Sequence, residues 1–133
     1  SMGIKAHQQA YWRNNKRVQI EMSPAPAWVF EWGKTAFLVS HGHAPRPAKL
    51  AEYFTAKYPE EWGRTKHRYC YHGHIHSKNT AMETYGGCIT ESFAGLPSAD
   101  AWHNEQGYVS GQSMCLIVLD KEKGEVRRST ERL

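Results

Sequence analysis

His41-Gly42-His43 and His72-Gly73-His74-Ile75-His76 gather five of the chain's eight histidines into two short clusters. Neutral imidazole is a ligand suited to zinc, manganese, iron and nickel. A lone histidine is more often a surface residue or a hydrogen-bonded core residue than a ligand. Three histidines in five positions, matched by a second His-x-His, shift the balance toward metal binding. His74 and His76 would face the same side of a strand, but Gly73 permits a bend that aims the two imidazoles at different ions. Ligands must converge on an ion with little positional error, so the chemistry requires rigid supports for both clusters.

Those supports are legible as strands. Thr35-Ala36-Phe37-Leu38-Val39-Ser40 is nearly all apolar, reads as a buried central strand and runs directly into His41. Arg68-Tyr69-Cys70-Tyr71 is a shorter strand that delivers His72. Trp28–Trp32 reads as a further strand joined to the central one by Gly33-Lys34. The alternation of Val18-Gln19-Ile20-Glu21-Met22 predicts a strand as well, and residues 4–14 predict a helix. After Pro45, Pro47 can start a helix whose apolar face is Leu50, Tyr53, Phe54 and Tyr58, with Pro59-Glu60-Glu61-Trp62-Gly63 ending it. Strands are expected over 80–85 and 87–93 around Gly86-Gly87, then a loop over 94–98. A last hairpin, 107–119 and 125–131, is expected around Lys121–Gly124. The expected class is α/β in the broad sense (α+β), mainly a mixed sheet with a flanking helix, as one domain over 1–133.

The totals exclude several classes. A hydrophobic content of 40% over 133 residues supports a packed domain and argues against disorder. No run approaches the roughly 18 apolar residues of a membrane span, and no signal-peptide pattern is present. Three cysteines without CxxC spacing speak against a disulfide framework or a zinc finger, and Cys115 lies in an apolar run as a small core residue. A cytoplasmic, reducing setting is expected. The net charge of +4 favours anionic partners weakly, with much of it assigned to the tail Arg127-Arg128-Ser129-Thr130-Glu131-Arg132.

Gly73-His74-Ile75-His76 resembles the terminal GHxH motif of calcineurin-like metallophosphoesterases. Val39-Ser40-His41-Gly42 resembles the preceding strand and His-Gly motif of that family. GHxH alone is weak; both motifs in order, with roughly 30 residues and a helix between them, are far more specific. Trp62–Arg68, Asp100-Ala101-Trp102-His103 and Gly107-Tyr108-Val109 resemble the background of phage and prophage members, so the resemblance covers nearly the whole chain. It implies the C-terminal half of a four-layer αββα sandwich. It implies His41 and His74 as ligands of one divalent metal (Mn, Zn, Fe or Ni) and His76 as a ligand of another, all three being catalytic. His43, Trp102 and His103 would lie on the substrate side, and His72 behind the ligands. The implied reaction is hydrolysis of phosphate esters, phosphodiesters of nucleotides or nucleic acid above all, by a metal-activated hydroxide in the cytoplasm of a bacterial or phage-infected host.

The chain departs from the family in one respect. The Asp-x-His, Gly-Asp and Gly-Asn-His motifs that precede the histidine motifs in the family do not occur, and the first aspartate is Asp100. Two metals about 3.5–4 Å apart need a bridging carboxylate, which neutral imidazoles do not supply. The expectation is therefore a site that is incomplete in this chain alone, completed in a homodimer or by a missing N-terminal half. Two alternatives stay open: a non-catalytic metal-binding or assembly module, and a hydrolase with one zinc on His41, His74 and His76.

Overall fold

The computed structural model describes residues 2–73, 81–83, 85–93 and 113–132. Helix α1 (Met2–Trp12) opens the chain and is followed by turns and irregular backbone to residue 26. Strands β1 (Ala27–Trp32) and β2 (Thr35–Ser40) form an antiparallel hairpin in which Trp32 pairs with Thr35. Gly33 closes that turn at φ +61, and a Cβ there would sit 2.8 Å from the Lys121 carbonyl oxygen, so only glycine fits. A 3-10 turn (Pro47–Lys49), α2 (Leu50–Lys57) and α3 (Pro59–Arg64) then carry the chain to β3 (His67–His72). Strand β3 lies parallel to β2, a pairing that requires a crossover of this kind. Strand β4 (Ala81–Glu83) is antiparallel to β5 (Ile89–Ser92), which lies parallel to β3. The order across the sheet is β1-β2-β3-β5-β4. The class is thus α+β with a mixed sheet, as the sequence predicts.

Period-two alternation sorts the sheet's side chains between two faces. One face buries Ala27, Ala36, Leu38, Cys70 and Cys88 against Leu50, Ala51 and Phe54 of α2. Burying Leu38, Leu50 and Phe54 at 0% exposure contributes on the order of 2 kcal/mol each before the entropy cost. Trp62 of α3 meets the Phe54 ring edge-on at 5.1 Å and lies 4.4 Å beneath the Arg68 guanidinium. The opposite face carries a row of rings: Phe30 to Phe37 at 5.2 Å, Phe37 to Tyr71 at 5.8 Å, and Tyr71 to Phe93 at 5.3 Å. At the β1 edge of that row, Phe30 and Trp32 are about half exposed.

A two-stranded sheet, β6 (Ser113–Asp120) and β7 (Gly124–Arg132), is attached to the ring-bearing face. Thr35 Oγ1 donates to the Asp120 carbonyl at 2.7 Å, and the Glu125 N–H donates to the Tyr69 hydroxyl at 2.7 Å. Gly124 packs so tightly on Tyr69 and His67 that a Cβ would lie 2.5 Å from the Tyr69 oxygen. Arg128 reaches from β7 to the buried Glu91 of β5, with one hydrogen bond to each carboxylate oxygen, and also holds Glu125.

Four sequence expectations are corrected. Residues 18–22 alternate but form no strand, because no strand among the described residues offers them a ladder. The first helix ends at Trp12, not at 14. The Pro59–Gly63 segment does not merely end α2; Pro59 sits at the first turn of a separate helix, where its missing N–H costs nothing. Arg128 is not part of a free basic tail but is held internally by two glutamates. Residues 107–112 of the expected last hairpin lie outside the described residues.

Candidate metal centre

The parallel register brings His41 and His72 to one edge of the sheet. Ser40 pairs with His72, and His72 pairs with Ser92, so β2, β3 and β5 end side by side. In open sheets of this kind the crevice beyond the carboxyl ends of the strands is the usual place for ligands. His41 leaves β2 there, and Gly73 leaves β3. The Phe93 N–H donates to the His72 carbonyl at 3.0 Å, which pins the third strand end to the second.

The two loops meet at their glycines. Gly42 has φ +95, and its N–H donates to Ser40 Oγ at 3.1 Å. A Cβ on Gly42 would lie 2.7 Å from the Gly73 carbonyl oxygen and 3.1 Å from His72 Nδ1. A Cβ on Gly73 would lie 3.7 Å from the His41 carbonyl oxygen. The backbone that precedes His74 in sequence therefore runs against the backbone of His41. His72 is buried, and its Nδ1 lies 3.0 Å from its neighbour's carbonyl oxygen at Gly73. That placement sets the ring against the Gly42 and Gly73 turns.

His41 and His43 are both exposed and flank Gly42. The loop continues through a cis Ala44–Pro45 bond to the 3-10 turn. His74, His76, Trp102 and His103 lie outside the described residues. Among the described residues no three His, Cys, Asp or Glu side chains stand close enough together to hold a metal ion.

Among the described residues, the buried acidic group next to this edge is already engaged. Glu91, one residue before the end of β5, is the only buried carboxylate among the described residues, and Arg128 binds both of its oxygens. A carboxylate so neutralised is a poor bridging ligand. Beside Glu91, the Tyr71 hydroxyl is buried with no hydrogen-bond partner among the described residues. Burial, then the nearby Glu125 carboxylate, pushes this phenol above its ordinary range. Sequence reasoning missed this buried ionic group. Its signal was a glutamate on a short strand otherwise lacking charge.

Cys70 and Cys88 are also closer than spacing alone suggested, with their sulfurs 3.4 Å apart and both fully buried. The contact with Cys88 and burial raise the Cys70 thiol far above its ordinary value, which makes it inert. No helix among the described residues is long and apolar enough to cross a membrane. Compared with known proteins, the chain matches no protein-family model, no curated protein and no solved structure.

Proposed function

We propose that this chain supplies the histidine ligands of a metal-dependent phosphoesterase site, of the calcineurin-like kind that its motifs resemble. The observation that supports the reading is the meeting of Gly42 and Gly73, which sets the His41 loop against the backbone leading into His74. On this reading His41 and His74 hold one divalent ion (Mn, Zn, Fe or Ni), and His76 is a ligand of a second. The ion, when bound, supplies Lewis-acid activation of water and of a phosphoryl oxygen. His43, with Trp102 and His103, lines the approach of a phosphodiester substrate, and His72 steadies the loop from behind. The carboxylates needed for a second ion come from another segment or another chain. The half-exposed Phe30 and Trp32 mark the sheet face on which the rest of a four-layer sandwich, or a second copy, would pack.

The test is metal content by mass spectrometry together with hydrolysis of bis-p-nitrophenyl phosphate in added manganese. The expected result is at most one ion per chain, lost in His41→Ala and in His74→Ala, with no turnover by the chain alone. Two ions per chain with turnover would contradict the missing-carboxylate argument. One ion with turnover would instead establish a mononuclear hydrolase. No bound ion at all would end the metal reading and leave an assembly module.

A further inference from the structure

We infer that α1 and the two turns after it form a binding surface for single-stranded nucleic acid, separate from the histidine loops and independent of the reading given to them. The first observation is the placement of charge. Four of the 17 basic residues and none of the 13 acidic ones fall in residues 1–20, so the rest of the chain, with 13 of each sign, is formally neutral. The whole net charge of +4 therefore resides on Lys5, Arg13, Lys16 and Arg17. Lys5 is spent internally, donating to the Ser23 carbonyl at 3.0 Å. Arg13, Lys16 and Arg17 are exposed, and no described carboxylate lies within ion-pairing distance of them.

The second observation is the exposure of the helix itself. From Gly3 to Trp12, every side-chain position except Lys5 is exposed. A helix of 11 residues without a packed face is marginal in water, so this one gains most from a partner. Two tight turns follow it: the Asn15 N–H donates to the Trp12 carbonyl at 2.8 Å, and the Arg17 N–H donates to Asn15 Oδ1 at 3.0 Å. They group Arg13, Lys16 and Arg17 just beyond the helix.

The third observation is what accompanies the charge. Tyr11 and Trp12 meet edge-on at 4.9 Å, and Tyr11 is 72% exposed, far beyond what an aromatic in a closed core shows. A groove of about 540 Å³ runs between α1 and residues 18–20, lined by Gln9, Trp12, Arg13, Val18, Gln19 and Ile20. Cations for the backbone, aromatic rings for stacking and amide side chains for base edges are the combination that single strands use. A membrane surface fits less well. The stripe Ile4, Tyr11, Trp12 is interrupted by Gln8, whose carbonyl accepts the Trp12 indole N–H at 3.1 Å, whereas an interfacial helix needs a continuous apolar face.

The test is fluorescence anisotropy of fluorescein-labelled dT20 and U20 with the full chain, in EDTA, so that metal chemistry at the histidine loops has no bearing on it. Three phosphate contacts predict a log–log salt slope of about −2 and a micromolar dissociation constant at low salt. Arg13→Ser/Lys16→Ser/Arg17→Ser should weaken binding more than about tenfold and flatten the slope, while Lys57→Ser/Lys66→Ser should leave both unchanged. Trp12→Ser should cost about tenfold with the slope retained, and Trp12→Phe should restore most of the loss. The inference is overturned if neither oligonucleotide binds, if the Lys57/Lys66 control loses as much as the triple variant, or if vesicles of phosphatidylglycerol bind while the oligonucleotides do not.

Discussion

Gly42 and Gly73 touch backbone to backbone, with the space for a Cβ on Gly42 ending 2.7 Å from the Gly73 carbonyl oxygen. The two histidine loops are thereby held at a separation that no larger residue permits. Gly42→Ala combines this clash with an unfavourable φ of +95 and is expected to cost about 1–3 kcal/mol in urea denaturation. Gly63 is the contrast: nothing lies within 4 Å of its Cβ position, and it sits inside α3. Gly63→Ala should be neutral or stabilising by up to about 1 kcal/mol. Equal losses in the two variants would show that the loop contact is not what fixes Gly42.

Arg128 and Glu91 tie the two sheets together through a carboxylate that is 2% exposed. Removing one partner strands a buried charge, so Arg128→Met should cost about 3–5 kcal/mol. The double variant Glu91→Gln/Arg128→Met should recover much of that, because the stranded charge is gone. A thermodynamic cycle from guanidinium denaturation measures it, and an additive double variant would refute the coupling.

Acid should weaken the fold through carboxyls held below their ordinary values. Hydrogen bonding from Arg64 lowers Glu31, and hydrogen bonding from Arg128 lowers Glu125, each from an ordinary value of 4.5. The backbone N–H groups of Glu122 and Lys123 lower Asp120 from 3.8. For a lowered carboxyl the stabilisation is fully present above the unfolded value and is lost as pH falls through the folded one. Stability should thus be flat above about pH 5.5 and decline below about pH 4.5, with a shallower decline in Arg128→Met. A stability that rises on acidification from pH 5 to 3 would contradict these assignments.

Thiol reactivity should divide the cysteines. Cys115 is partly accessible, whereas Cys70 and Cys88 are fully buried. In native protein Ellman's reagent should modify one thiol readily, and peptide mapping should find it at Cys115. The other two should react only on unfolding. Rapid native labelling of Cys70 would show that the core beneath α2 opens far more often than its packing implies.

The elements were legible where pattern and partner agreed. Thr35–Ser40 is apolar because both of its faces are covered, and the Gly33-Lys34 turn fixes the β1–β2 register from the sequence alone. Val18–Met22 alternates but has no adjacent strand among the described residues, and alternation without a ladder does not make a strand. The candidate site was half legible. Local spacing shows that His41 and His43 follow a strand, but only the parallel pairing of Ser40 with His72 shows that the His41 loop and the turn at Gly73 leave the same edge. The ion pair of Glu91 with Arg128 links residues 37 apart, which no local pattern encodes.

The hydrogen bond from Thr35 to the Asp120 carbonyl joins residues 85 apart in sequence. Closing so long a loop is entropically costly and slow compared with forming either hairpin, so the β6–β7 ribbon should dock after the larger sheet exists. The order of assembly is then written into the topology: the β1–β2 hairpin, α2 and the larger sheet first, the docking of the ribbon last. Thr35→Val should accordingly leave the refolding rate nearly unchanged and speed unfolding, a φ-value near zero. A φ-value near one at Thr35 would place the ribbon in the folding nucleus instead.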